Sequence, residues 1–323
     1  MKQIVLLLVW VMNVLMLQHF LNISSKLSLF IFIIGAMVLI RFRRKPLVNL
    51  FPSVMLVGLL VWLSTIQASN NREWHTEVAN LPKIVINNET IVVQNFRNAS
   101  WHGDRVTTSW ENRKYDLTKL NSLALIVEPF NDSKLMAHTM LDFGFGEQGH
   151  IIISVEARKE VLEEYSLIAG ALRQFELIYI FGAEKDLLSL RALERGSALH
   201  LYPIKADEKF IVSLFKDLVK SANALHDEPK FYRTLRDNCT TTLVEHIDQH
   251  YQQKIGTRIE TIFPAKAGEL LHNLGRMDTM LSYPQAHEAS RIDHLVVKYR
   301  DEEEDFSSLL HADSELAYMA RNK

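Results

Sequence analysis

The chain has 323 residues, 48% of them hydrophobic and 23% charged, with a formal net charge of −2 and one cysteine, Cys239. This near-neutral balance, with no large basic face, gives no reason to expect nucleic-acid binding, and a lone cysteine excludes an intramolecular disulfide. The averages hide a split, because the first 67 residues are dominated by Leu, Val, Ile, Met and Phe, and the remainder carries the acids.

Three apolar segments open the chain, residues 4–20, 27–40 and 47–66. The first and third reach the roughly 17–25 residues that cross a hydrocarbon core. The second is shorter; extended to 21–40 it is interrupted by Asn22, Ser24, Ser25 and Lys26. No small-x-small cleavage site precedes the second segment, so a cleaved signal peptide would account for the first alone. Arg41, Arg43, Arg44 and Lys45 cluster between the second and third, and such clusters stay cytoplasmic. The expectation is a bacterial inner-membrane protein with a cytoplasmic amino terminus and everything after Gln67 in the periplasm. The parts expected are a membrane anchor of three transmembrane helices over 1–67, a soluble domain over 70–260 and a helical C-terminal extension over 261–323.

After residue 70 no repeat or low-complexity linker interrupts the pattern, which places strands first and helices later. Residues 85–93 are apolar and β-branched around Asn87-Asn88-Glu89, a hairpin pattern. Residues 122–127 form another strand candidate. Two apolar runs, 138–145 and 150–156, flank Gly146-Glu147-Gln148-Gly149 and read as a second hairpin. Strands are also expected over 175–181 and 198–202, with a charged stretch between them. Over 207–225 the period becomes helical: Phe210, Leu214, Leu218 and Ala222 recur every four residues, with Ile211, Phe215 and Leu225 widening the face. A further helix begins near Cys239, with Leu243 and Ile247 on the side of the sulfur. The acidic run 301–305 lacks metal-ligand spacing and reads as a solvated surface.

Cys239 sits in Arg236-Asp237-Asn238-Cys239-Thr240-Thr241-Thr242. Asp237 or Asn238 is a suitable N-cap, placing the thiol in the first helical turn; Thr242 with Glu245 offers a competing capping box. A thiol at a helix N-terminus is stabilised as thiolate, as a nucleophile requires. A small buried side chain is the other reading. A cysteine nucleophile needs a histidine base and a group to orient it. His138 opens the first strand of the glycine-turn hairpin and Glu156 closes the second. An odd-numbered loop puts them on one face, and an even-numbered loop puts them on opposite faces. His150, beside the turn, is the less suitable base. Arg158 suits an anionic substrate or an ordinary ion pair. Tyr232 and Asn238 are candidate donors to an oxyanion, Tyr232 serving equally as a core aromatic. No CxxC, HExxH, GxSxG or phosphate-loop pattern occurs, so no cofactor and no metal is expected.

Four stretches together resemble a known family: residues 137–145; Ile153-Ser154-Val155-Glu156-Ala157-Arg158; Phe181-Gly182-Ala183-Glu184-Lys185-Asp186 with Arg191; and Tyr232 with Asn238-Cys239-Thr240-Thr241. With Asn95-Phe96-Arg97 at its start, the region from about 90 to 250 is similar to the Lnb-type N-terminal periplasmic domain. The resemblance implies an α+β fold, a permuted papain-like (NlpC-type) domain with an antiparallel sheet and packed helices, akin to lecithin:retinol acyltransferase-like proteins. It also implies a cysteine–histidine acyltransferase, because the namesakes resemble lipoprotein N-acyltransferases. Carried over by position, Cys239 is the nucleophile and His138 its base; Glu156 as third member comes from the hairpin geometry. The implied partners are a phospholipid or lipoprotein acyl substrate and the membrane. Three spans precede the domain here, whereas in the namesakes they follow it. A cysteine peptidase or amidase acting on cell-wall peptides, and a non-catalytic envelope binding module, remain open.

Overall fold

The computed structural model describes residues 2–20, 25–42, 44–102, 105–130, 133–234, 236–251, 254–256, 263–302 and 305–316. Two compact units result, Met1–Ser69 with Ser166–Gln174, and Asn70–Tyr165 with Phe175–Lys323.

In the first unit, uninterrupted aliphatic sequence forms α1 (Lys2–Phe20), α2 (Ser25–Arg41) and α3 (Pro46–Thr65). Pro46 stands in the first turn of α3, where its missing N–H costs nothing. Trp10, Val14 and Leu39 bury between the helices. Trp10 approaches α2 at Gly35, where a Cβ would lie 2.1 Å from the indole. Asn13, fully buried, donates from Nδ2 to the Pro52 carbonyl at 2.8 Å. Outward positions such as Ile4, Leu8, Phe30, Val54 and Val61 stay apolar and exposed. Among the described residues, Val48–Thr65 is the one helix long and apolar enough to cross a membrane, and Ile4–Gln18 is a shorter apolar helix. The short α4 (Leu167–Ala171), capped by the Ser166 hydroxyl, belongs to this unit.

The second unit is α+β, built on a mostly antiparallel eight-stranded sheet. Its strands are β1 (Lys83–Asn87), β2 (Thr90–Arg97), β5 (Trp110–Asp116), β6 (Ser122–Pro129), β7 (Ala137–Gly144), β8 (His150–Arg158), β9 (Glu176–Ala183) and β10 (His200–Pro203). A separate small hairpin joins β3 (Ser100–His102) to β4 (Arg105–Thr107). The sheet order is β1-β2-β9-β8-β7-β6-β10, with β5 also on β2, and the single parallel contact is Arg97↔Gly182. The expected hairpins form: β1 and β2 turn at Asn88, in the left-handed region at φ 54°, and β7 and β8 pair from Met140↔Ser154 to Gly144↔His150. The latter turn spans 145–149, an odd count, so His138 and Glu156 fall on one face. β5 has a charged, weakly alternating sequence and carries no strand pattern; its pairing with β2 makes it one.

The charged stretch between β9 and β10 is α5 (Glu184–Ser189) with the turn Leu190–Glu194, and Glu184, Asp186 and Arg191 within it are buried. α6 (Glu208–Ala224), capped by Asp207 on the Phe210 N–H, lays its apolar stripe on the sheet. Phe215 meets Phe143, Phe145 and Phe181 at ring separations of 5.4–6.2 Å. Burying one such ring contributes about 1.5–3 kcal/mol. α7 (Cys239–His250) follows, then α8 (Ala267–Asn273), α9 (Tyr283–Ala289), α10 (Asp293–Lys298) and α11 (Phe306–Asp313). Residues of this C-terminal part pack around Val127 and Tyr202 at the β6–β10 edge through Ala267, Met277, Ala286 and Leu316. Asp301 is exposed, as a solvated acidic run requires; residues 303 and 304 lie outside the described set.

Candidate active site

Asn238 is the N-cap of α7. Its Oδ1 accepts from the backbone N–H groups of Thr240 and Thr241, both at 2.9 Å, and the Thr241 hydroxyl returns to accept from the Asn238 N–H at 3.0 Å. This reciprocal cap starts the helix at Cys239, earlier than the competing Thr242–Glu245 pair would. The sulfur therefore sits in the first turn, at the positive end of the helix dipole. It is the free thiol of the chain and only 4% exposed.

On the sheet, His138 and Thr139 of β7 lie close enough to this sulfur to favour its thiolate, and the Thr240 hydroxyl is 3.8 Å from it. Burial pushes the thiol up. The neighbouring His138, aided by Thr139, overcomes burial and brings Cys239 from 9.0 down to about 7. The Thr139 and Thr240 hydroxyls, 2.9 Å apart, tie β7 to α7 beside the sulfur.

A polar chain runs back from the imidazole. His138 Nε2 lies 2.7 Å from the Ser154 hydroxyl, which donates to Glu156 Oε1 at 2.8 Å. Glu156 Oε1 is also 3.9 Å from His138 Nε2 and 3.0 Å from Arg191 Nη2. Because Ser154 engages Nε2, Nδ1 is the ring nitrogen left for the sulfur. Burial disfavours the Glu156 carboxylate, but Arg191 above all, then His138, Arg97 and Arg195, hold its carboxyl well below the usual range. Arg191 is itself fixed: Nε lies 3.0 Å from Glu128 Oε2, and Nη1 donates to the Leu187 carbonyl at 2.8 Å. Behind it, Arg97 pairs with Asp186 at 2.8 Å, and Asp186 also accepts from Trp101 Nε1 and the Ala99 N–H.

Of the six residues singled out from sequence, the structure gathers Cys239, His138, Glu156 and Tyr232. Tyr232 is buried with its ring 6.2 Å from that of Tyr165; burial, then the nearby sulfur, raise its pKa above that of an ordinary phenol. Asn238 is largely committed to the helix: its Oδ1 caps α7 and one N–H of its Nδ2 goes to the Thr234 carbonyl at 2.7 Å, which leaves the second N–H for the oxyanion role. Arg158 is spent elsewhere. Its guanidinium donates to the Val78 and Ala79 carbonyls and Asn70 Oδ1, and stacks 4.2 Å over Trp74. Burial brings it down to about 10, Glu176 opposing. An arginine so tied is a structural brace and does not face an anionic substrate.

Sequence reasoning assigned no role to Ser154, Thr139, Tyr165 or Arg191. Ser154 was recoverable, because Ser-x-Glu on a strand puts both side chains on the histidine's face. Arg191 arrives from a helix with no local spacing to announce it.

A comparison with protein families matches residues 107–269, half the chain, to the Lnb N-terminal periplasmic domain. Comparisons with curated proteins and with solved structures give no match. His138, Ser154, Glu156, Arg191 and Cys239 all fall inside the matched stretch, whereas Arg97 and the helices after residue 269 fall outside it. The chain belongs to the Lnb N-terminal periplasmic domain family.

Proposed function

We propose that this protein is a membrane-anchored periplasmic cysteine acyltransferase of permuted papain-like fold, moving a fatty acyl group through a thioester on Cys239. The observation that carries the reading is the thiol at a capped helix N-terminus whose thiolate a nearby histidine favours, that histidine being held by a Ser154–Glu156–Arg191 chain. In the first step the Cys239 thiolate attacks the carbonyl carbon of a phospholipid acyl ester. The carbon–oxygen bond breaks, and the leaving alcohol takes its proton from His138. In the second step an amine, such as a lipoprotein amino terminus, attacks the thioester carbonyl. His138 accepts the amine's proton, an amide forms, and the thiolate returns.

The choice of a lipid over a cell-wall peptide substrate rests on the membrane tether. The loop after β8 exposes Val161, Leu162 and Tyr165 among the acids Glu160, Glu163 and Glu164, and Tyr165 packs against Tyr232. The first unit supports anchoring: we read α1, α2 and α3 as three spans, with the Arg41–Lys45 cluster cytoplasmic and the sheet domain periplasmic. Tethering then raises the local concentration of bilayer acyl groups at the site.

Replacing Cys239 with alanine should abolish amino-terminal acylation of lipoprotein in cells that depend on this protein, read by mass spectrometry of the lipoprotein amino terminus. Unchanged acylation with the variant present and folded would remove the transferase reading. Release of free fatty acid or of cleaved peptide by the wild type, with no acylated amine, would assign it to hydrolysis.

A further inference from the structure

Away from Cys239, four ligand-type side chains from distant stretches of the second unit converge. Asp142 lies on β7, His150 opens β8, Glu184 opens α5 and His311 sits in α11. One ligand atom from each lies within 4.8 Å of all the others. His150 Nδ1 is 2.9 Å from both oxygens of Asp142, and His311 Nε2 is 2.7 Å from Glu184 Oε1 and 3.5 Å from Asp142 Oδ2. The two imidazoles stack at 3.9 Å. Asp142, Glu184 and His311 are 1%, 3% and 6% exposed. The second oxygen of Glu184, Oε2, is buried with no hydrogen-bond partner, a deficit that costs about 1–3 kcal/mol when nothing satisfies it.

We propose that Asp142, His150, Glu184 and His311 bind one divalent transition-metal ion, zinc by preference, which clamps helix α11 to β7, β8 and α5. Two imidazoles and two carboxylates form a borderline nitrogen–oxygen set suited to zinc, whereas calcium and magnesium call for an all-oxygen shell. Tetrahedral ligands with bonds of about 2.1 Å stand about 3.4 Å apart. Three of the six ligand pairs, at 2.7–3.5 Å, bracket that spacing, and drawing in the other three, all within 4.8 Å, completes the shell. Four protein ligands close the shell, as in structural rather than catalytic zinc sites. A cleft of about 290 Å³, lined in part by Asp142, His150 and His311, gives the ion a route in. Asp142, His150 and Glu184 lie within the family match and His311 beyond it, so the C-terminal helices supply the closing ligand.

The rival is a metal-free ion-pair network among the same groups, and the test separates the two. The full-length protein, purified in detergent with a tag free of histidine, is assayed for bound metal, stripped with a chelator, and titrated with Zn²⁺ and with Co²⁺. The proposal expects about one ion per chain, recovery of thermal stability with Zn²⁺, and the visible bands of tetrahedral Co²⁺ without a sulfur-to-cobalt charge-transfer band. Cys239→Ala should bind as the wild type does, and His311→Ala should lose at least about tenfold in affinity. No metal on isolation with no saturable Zn²⁺ binding, or full binding by the His150→Ala/His311→Ala double variant, would overturn it. Should those variants fail to fold, the wild-type cobalt spectrum decides: a sulfur charge-transfer band, or no tetrahedral bands, rejects the site.

Discussion

At Cys239 two opposing effects meet, burial that penalises a thiolate and a histidine that rewards it, and the histidine prevails. The sign of the pH dependence follows. With its pKa brought down to about 7, the thiol becomes reactive as pH rises through 7 and levels off above. Rates of iodoacetamide alkylation should show that midpoint in the wild type, and His138→Ala should move it past about 8.5, because burial then acts unopposed. Ser154→Ala removes one orienting hydrogen bond from the imidazole, worth about 1–2 kcal/mol, and should lower kcat about 5–30-fold with KM little changed. An unaltered kcat would mean that the imidazole is held without it. The sequence makes the cysteine's position and the histidine's strand legible, since both depend on local spacing. The pairing of Arg191 with Glu128 and Glu156, and the meeting of Asp142, His150, Glu184 and His311, are illegible, because these partners come together only through tertiary packing. Arg158 and Asn238 show the converse: polar residues next to a site in sequence are drawn off by backbone groups that need them more.

Among the elements, the β7–β8 hairpin carries His138 and α7 carries the thiol. The glycine-bounded turn announces the hairpin, and its odd length sets the face that His138, Ser154 and Glu156 share. The α7 boundary was open between two capping patterns, and Asn238 prevails by satisfying two backbone donors at once. Asn238→Ala should therefore cost about 0.5–2 kcal/mol, seen as a lower thermal midpoint; a midpoint equal to the wild type would mean the helix is capped by other means. At β9, Gly182 faces the Arg97 carbonyl across the parallel contact. An added Cβ would lie 3.1 Å from that oxygen and 2.3 Å from Leu187 Cδ1. Gly182→Ala should destabilise by about 1–3 kcal/mol, measured by denaturant or thermal unfolding, with no loss if Leu187 can swing clear. The buried charges of α5 and the following turn escape pattern reading because polarity marks a surface only when no partner waits inside, and here Arg97, Glu128 and Glu156 wait; β5 escapes it because its half-exposed charged sequence is made a strand by pairing with β2.

For the whole molecule, an apolar first unit and a charged α+β second unit share one chain. The basic cluster before α3 argues for a cytoplasmic turn and a periplasmic sheet domain. Alkaline phosphatase fused after residue 67 should be active and after residue 44 inactive, and the reverse pattern would invert the topology. The most direct test of thioester catalysis is mass spectrometry of Cys239 in protein isolated rapidly from native membranes. A fatty acyl adduct on Cys239, released by neutral hydroxylamine and missing from His138→Ala, is the predicted result. A folded wild-type protein whose Cys239 carries no such adduct, or a His138→Ala variant acylated to the same extent, would contradict it.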